Sequence, residues 1–262
     1  MPYLNLPTHR LHYRMDGVAT NAPWLVFCNS LGTDLRMWDA QVAALSDHFR
    51  ILRYDRRGHG GSSAPPPPYA LADLGGDVIA LLDALDIRQS HFCGLSIGGL
   101  TGQWLGIHAG DRFDQLVLCA TAARIGSAEG WAARITEVTE NGLAALVPGT
   151  GARWFTPAFS AAQPETVRGI LQQFEMTSVE GYVGCCAALA GADLRVGIAQ
   201  IANTVLTISG EDDPVCPPSD LAEIAAKVRR GRSVSLPGRH LVNIEAADAF
   251  NAILLNALTG GA

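Results

Sequence analysis

Gly94-Leu95-Ser96-Ile97-Gly98 decides the reading of this chain. The serine between two glycines stands between a short apolar run, His91-Phe92-Cys93, and the stretch Leu100-Thr101-Gly102-Gln103-Trp104-Leu105-Gly106, whose apolar residues lie three and four apart. Strand, sharp turn and helix in that order make a nucleophile elbow, the turn that pushes a serine hydroxyl out of a sheet. The glycines have a steric reason, because a serine held in a strained backbone conformation needs neighbours without Cβ atoms if strand and helix are to pass closely. Chance places about 0.15 such pentapeptides in a chain of this size, so the flanking pattern carries the reading. The alternative is a flexible glycine-rich turn with an incidental serine.

Outward from this turn, strands and helices alternate. Trp24-Leu25-Val26-Phe27-Cys28 and Ile51-Leu52-Arg53-Tyr54 read as apolar strands, and His91 to Gly94, Leu116 to Cys119, Thr204 to Ser209 and Ser233 to Leu236 continue the series. Leucines at helical spacing mark a helix over Leu71 to Leu85, and a final helix is expected over about residues 246–258. The pattern is that of an α/β protein with a parallel sheet covered by helices on both faces. Leu11-His12-Tyr13-Arg14-Met15-Asp16 alternates like an antiparallel strand ahead of it. Between about Ala123 and Leu194 helical segments follow one another without a strand. Residues 1–122 and 195–262 are therefore expected to form the core, and residues 123–194 an inserted helical lid (cap) over the sheet's carboxyl edge. Pro65-Pro66-Pro67-Pro68 reads as a stiff surface connector rather than a polyproline ligand.

With 262 residues, 48% of them hydrophobic and 17% charged, the chain fits one large α/β domain or one domain with an insertion. A formal net charge of −6 offers no basic footprint, so no nucleic-acid partner is expected. Met1-Pro2-Tyr3-Leu4-Asn5-Leu6 lacks the pattern of a leader, and no apolar run reaches membrane-spanning length. A soluble cytoplasmic protein without membrane contact is expected. Of the six cysteines, Cys28, Cys93 and Cys119 fall in or at the ends of core strands, and no Cys-x-x-Cys pair occurs. Reduced, buried thiols are expected rather than disulfides or a zinc site.

A serine hydroxyl is too weakly acidic to attack a carbonyl unaided; it needs a general base and a group that orients that base. Gly210-Glu211-Asp212-Asp213-Pro214 leaves the strand ending at Thr207-Ile208-Ser209, and Pro237-Gly238-Arg239-His240 follows the last strand. Asp213 is read as the orienting carboxylate with Asp212 as its rival, and His240 as the base. His9, His12, His48 and His108 read as surface or near-terminal positions, and His59 as part of a turn. Two backbone N–H groups must also face the developing oxyanion. Ile97, after the serine, supplies one; Leu31 in Asn29-Ser30-Leu31-Gly32-Thr33, the loop after the Trp24 strand, is read as the other.

The order Ser, Asp, His and the turn Asp55 to Gly60 resemble the α/β-hydrolases. More specifically, the chain is similar to the 3-oxoadipate enol-lactonases of aromatic-compound degradation. The likeness rests on Asn29-Ser30-Leu31-Gly32-Thr33-Asp34 with Met37-Trp38-Asp39, on Gly94 to Gly99 with Gln103-Trp104-Leu105-Gly106, on Thr121-Ala122-Ala123-Arg124-Ile125-Gly126, and on Glu180-Gly181-Tyr182 leading to Cys185-Cys186. Asn29 and Ser30 depart from the His-Gly that many α/β-hydrolases carry there, which leaves a backbone role intact.

The resemblance implies an α/β-hydrolase fold with a mostly parallel eight-stranded sheet flanked by helices, and a small-molecule substrate, a five-membered enol-lactone carrying a free carboxylate. It implies attack by Ser96, an acyl-enzyme, and no metal or organic cofactor. The lid offers Arg124, Arg134 and Arg153 to the substrate carboxylate, and Trp131 and Trp154 to the pocket wall. A general carboxylesterase or a cofactor-free perhydrolase would share Ser96, Asp213 and His240, and a ligand-binding receptor could keep the fold without the chemistry. Whether the chain forms a homo-oligomer is not readable from its sequence.

Overall fold

The computed structural model describes residues 2–18 and 21–260. They build one eight-stranded sheet from β1 (Tyr3–Asn5), β2 (Arg10–Asp16), β3 (Trp24–Cys28), β4 (Arg50–Tyr54), β5 (Ser90–Leu95), β6 (Phe113–Cys119), β7 (Thr204–Gly210) and β8 (Arg230–Leu236). The strand order is β1-β2-β4-β3-β5-β6-β7-β8. All neighbours from β4 onward run parallel, while β1 and β2 pair antiparallel with each other and β2 with β4. The central strands are continuous apolar runs because both their faces are covered: Leu25 through Cys28 and all of β5 are buried. The edge strand β8 instead exposes Arg230 and Arg232, charges that discourage further strand pairing.

β1 is absent from the sequence reading. A three-residue strand, Tyr3–Asn5, holds no period to detect, and its strand character comes from pairing, Tyr3 opposite His12 and Asn5 opposite Arg10.

Helices α1 (Asp39–Leu45), α2 (Leu71–Ala84) and α3 (Ile97–His108) occupy the first half of the chain. Between β6 and β7 come α4 (Ala128–Asn141), α5 (Val147–Trp154), α6 (Pro157–Ala162), α7 (Pro164–Glu175) and α8 (Val179–Gly191), with short 3-10 turns and no strand among the described residues. α9 (Pro218–Lys227), α10 (Val242–Glu245) and α11 (Ala247–Leu258) complete the chain, so the final helical stretch is broken at Ala246.

Two histidines correct the sequence reading. His9 and His12 are buried rather than exposed. His12 Nδ1 lies 2.6 Å from Asp55 Oδ2, and His9 Nε2 lies 3.1 Å from Asp77 Oδ1. Their carboxylates come from distant stretches of chain, which no local pattern reveals. All six cysteines are free and buried. Among the described residues no helix is long and apolar enough to cross a membrane.

Parallel neighbours carry their carboxyl ends to one edge. Cys28 is in register with Gly94, Leu95 with Cys119, Cys119 with Ile208, and Gly210 with Leu236. The loops after β3, β5, β7 and β8 therefore open on the same rim, the usual place for a ligand in an α/β sheet.

Candidate active site

At the end of β5, Ser96 has φ 61° and ψ −120°, a conformation rare for a residue with a side chain. Surrounding bonds hold it there: the Ser96 amide donates to Cys119 O at 2.9 Å, and the Ser96 carbonyl accepts from Thr121 Oγ1 at 2.8 Å and from the Leu100 amide at 2.9 Å. A Cβ on Gly94 would fall 2.2 Å from Gly98 O, and one on Gly98 would fall 2.2 Å from Cys28 O. Both glycines are thus demanded by close backbone approach. Ile97 opens α3, so its amide belongs to the helical first turn, whose N–H groups have no intrahelical acceptor and carry the positive end of the helix dipole.

After β7, Asp213 points its carboxylate at the loop after β8. His240 Nδ1 lies 2.8 Å from Asp213 Oδ2, while Asp213 Oδ1 accepts the amides of Val215 at 2.8 Å and Cys216 at 3.2 Å. Asp213 and His240 are both buried, and Asp212 is exposed. A carboxylate accepts only, so the shared proton sits on Nδ1 and leaves Nε2 free to act as a base. The His240 loop is fixed in turn: the Arg239 amide donates to Glu245 Oε2 at 2.9 Å and the Leu241 amide to Trp154 O at 3.2 Å. Glu245 also takes Thr156, through its amide at 3.1 Å and through its hydroxyl.

Ser96 and His240 line one cavity together with Ser30 and Leu31 from the loop after β3. In that loop the amides of Ser30, Gly32 and Thr33 donate to Met37 Sδ, His59 Nε2 and Ser30 O. The amide of Leu31 has no acceptor among the described residues. It is therefore available to a ligand.

The roof of the cavity comes from the helices between β6 and β7: Trp131 and Arg134 on α4, Thr150, Arg153 and Trp154 on α5, and Tyr182 on α8. Next to Tyr182 the chain packs tightly on the Arg56–His59 turn, since a Cβ on Gly181 would fall 2.3 Å from Gly58 Cα. Burial pushes the Tyr182 phenol up to about 12, so it stays protonated. Arg134 Nη1 approaches the Tyr182 hydroxyl at 3.5 Å, and Arg134 Nε lies 3.4 Å from the half-exposed Glu137. Arg153 differs. Its Nη2 donates to Thr150 Oγ1 at 3.2 Å, and no carboxylate lies within ion-pair distance among the described residues. Burial first, and then the neighbouring Arg134, lower Arg153 from the usual guanidinium range.

Of the pocket candidates read from sequence between β6 and β7, Trp131, Arg134, Arg153 and Trp154 line the cavity. Arg124 does not. It lies 3.9 Å from Asp193 in a separate surface depression with Arg195, Asp220 and Glu223. Thr150 and Tyr182 escape a sequence reading of the pocket, although Tyr182 stands in the Glu180-Gly181-Tyr182 segment that carries the family likeness.

Residues 23–247 match the family described as the alpha/beta hydrolase fold. The chain is 45% identical over 241 residues to 3-oxoadipate enol-lactonase 2 of Acinetobacter baylyi, covering 92% of this chain and 90% of that one. With 3-oxoadipate enol-lactonase 1 of the same organism it shares 42% identity over 88% of this chain and 86% of that one. The solved enol-lactonase from Burkholderia xenovorans LB400 matches with a TM-score of 0.97 at 46% identity, over 98% of this chain and 100% of that one.

Proposed function

The chain belongs to the α/β-hydrolases and, within them, to the 3-oxoadipate enol-lactonases; from that premise we infer that Ser96, His240 and Asp213 carry the hydrolysis of 3-oxoadipate enol-lactone to 3-oxoadipate. In the first half, Ser96 Oγ attacks the lactone carbonyl carbon and its proton passes to His240 Nε2. Asp213, bonded to Nδ1, stabilises the imidazolium that results. The carbonyl oxygen gains the negative charge and is met by the amides of Leu31 and Ile97. Collapse breaks the ring C–O bond, and the oxygen departs as an enolate, a better leaving group than an alkoxide. His240 returns the proton, and the enol becomes the ketone. The acyl chain now esterifies Ser96. In the second half a water gives its proton to His240 and attacks the ester carbonyl; collapse expels the Ser96 oxygen, which recovers its proton from His240.

Ring opening needs no group beyond these residues, but substrate choice does. The lactone carries a free carboxymethyl group, and Arg153 is the cavity cation whose charge lacks an anion. We assign the carboxylate to Arg153, with Arg134, the Thr150 hydroxyl and the Tyr182 hydroxyl completing the pocket; guanidinium suits a carboxylate because its donors match the two oxygens. Trp131 and Trp154 would flank the ring.

Residues 123–194 act as a lid on the core formed by 1–122 and 195–262. What supports this is that α4, α5, α7 and α8 all contribute to the cavity while the chemistry sits on core loops. The six free thiols fit a reducing compartment, which supports action in the cytoplasm.

The Arg153 guanidinium, in the same cavity as Ser96 and without a carboxylate in ion-pair distance among the described residues, is the observation that carries the lactonase reading over a general esterase. A side-by-side measurement of kcat/KM on 3-oxoadipate enol-lactone and on a neutral aryl ester tests it. Preference for the lactone is expected; preference for the ester would reduce the reading to a general carboxylesterase.

A further inference from the structure

Arg56 is 1% exposed, and among the described residues no carboxylate lies within ion-pair distance of it. An ionised guanidinium buried without such a partner is strongly disfavoured unless its donors are otherwise satisfied. Its donors converge on the start of the loop after β3. Nη2 donates to Asn29 O at 2.6 Å and to Cys28 Sγ at 3.4 Å, and Nη1 to Ser30 O at 3.3 Å, while Nε is left buried without an acceptor.

Three residues further along the same segment, His59 holds the other end of the loop. Its Nδ1 lies 3.2 Å from Arg57 O, and a carbonyl only accepts, so Nδ1 carries the proton. Nε2 is then the bare acceptor that takes the Gly32 amide at 3.0 Å. Burial, and secondly the charge of Arg56, lower His59 to about 3, so the ring stays neutral and keeps this role.

We propose that Arg56 and His59 are positioning residues for the oxyanion hole, locking the loop from Asn29 to Gly32 so that the Leu31 amide faces the Ser96 cavity. The peptide between Ser30 and Leu31 is planar, and in the trans form its C=O and N–H point in opposite directions. Holding the Ser30 carbonyl therefore aims the Leu31 amide. That carbonyl is held by Arg56 at 3.3 Å, by Thr33 Oγ1 at 2.9 Å and by the Thr33 amide at 3.4 Å. Arg56 also places a positive charge without a counter-ion behind the loop, which favours negative charge in front of it. Such preorganisation spares the donor any reorientation when the oxyanion forms.

The inference rests on the reading of Ser96 as nucleophile, so its test separates the two. Arg56→Met, His59→Leu and His59→Gln are compared on the enol-lactone and on a neutral aryl ester, alongside Ser96→Ala, with folding checked by circular dichroism. A boronic acid serves as probe, because its adduct with a serine oxygen is a tetrahedral anion that places one boron-bound oxygen in the hole. Arg56→Met is expected to lower kcat by about 100-fold on both substrates with KM within about threefold, and to weaken boronate binding by a similar factor. His59→Gln keeps an acceptor for Gly32 and is expected to stay within about fivefold of wild type, while His59→Leu loses more than about tenfold in kcat. A folded Arg56→Met protein with wild-type kcat and boronate affinity would overturn the inference. Should that variant fail to fold, equal kcat for His59→Leu and His59→Gln would overturn it instead. Retained activity in Ser96→Ala would mean that the nucleophile is misassigned, whatever the Arg56 variants do.

Discussion

Asp213 Oδ2 meets His240 Nδ1 at 2.8 Å across a gap of 27 residues, while Asp213 Oδ1 is taken by two amides of its own turn. The carboxylate is thus pinned at one oxygen and aimed with the other. Replacing it by an amide presents a donor to Nδ1 and favours the wrong tautomer, so Asp213→Asn should lower kcat by about 10³ to 10⁴ with little change in fold. The neighbouring Asp212 is exposed and contributes its backbone amide to Gly238 O at 3.0 Å, which an amide side chain leaves untouched. Asp212→Asn should therefore remain within about twofold of wild type. Steady-state kinetics on the two variants checks the pair; the reverse ranking would move the orienting role to Asp212.

Removing the charge of Arg153 should act on the substrate that carries a carboxylate and spare one that does not. A charge-assisted hydrogen bond of about 2 kcal/mol corresponds to roughly 30-fold, so Arg153→Met should lower kcat/KM for the enol-lactone by about that factor, mostly through KM. The neutral aryl ester should be hydrolysed at nearly the wild-type rate. Arg124→Ala, away from the cavity, should change neither. Equal losses on both substrates for Arg153→Met would mean that the side chain supports the pocket wall rather than the carboxylate.

Glycines at the elbow and on an outer helix should respond oppositely to the same methyl group. In Gly98→Ala the new Cβ would lie 2.2 Å from Cys28 O and 2.7 Å from Asn29 O, both backbone atoms that cannot swing aside. A loss of about 3 kcal/mol is expected, a fall in Tm of roughly 6 to 12 °C for a chain of this size. Gly76, exposed within α2, has nothing within 4 Å of its added Cβ. There Gly76→Ala should raise stability by up to about 1 kcal/mol through helix propensity alone. Thermal unfolding followed by circular dichroism measures both.

Stability should fall on the acid side before carboxylates titrate. His59 is buried and lowered from 6.5 to about 3, so below pH 6.5 the unfolded chain binds a proton there that the folded chain refuses. The contribution is fully present above the unfolded value and is lost progressively as pH falls toward the folded one. Between about pH 6 and 4 this group alone contributes a slope approaching 1.4 kcal/mol per pH unit. His59→Gln removes the titration, so its denaturant-unfolding free energy should depend less on pH across that window. An unchanged slope would assign the acid sensitivity to other groups, such as His91, which burial also lowers.

What the sequence discloses and what it hides divide along a physical line. The turn at Ser96 is legible because strain and close backbone approach require Gly94 and Gly98 in a fixed frame, and the loops bearing Asp213 and His240 because each follows an apolar strand. The choice between Asp213 and Asp212 is not local to their residue types; it is made by the amides of Val215 and Cys216. The helical segment between β6 and β7 is harder still. Arg124, Arg134 and Arg153 all sit in helical or turn segments, and only the folded chain shows that Arg134 and Arg153 line the cavity while Arg124 lies near Asp193 in another depression. His12 and His9 look like surface residues until Asp55 and Asp77 arrive from 43 and 68 positions later. Arg56 and His59 sit inside a turn shared widely among α/β-hydrolases, and their grip on Asn29, Ser30 and Gly32 appears only in three dimensions.

Turnover of 3-oxoadipate enol-lactone by folded Ser96→Ala protein measures the nucleophile most directly. A loss of about 10⁴-fold or more in kcat/KM is expected, with the residue of activity coming from the oxyanion hole and binding alone. A folded variant that kept more than about one hundredth of wild-type activity would contradict covalent catalysis by Ser96 and place the ring opening on another group.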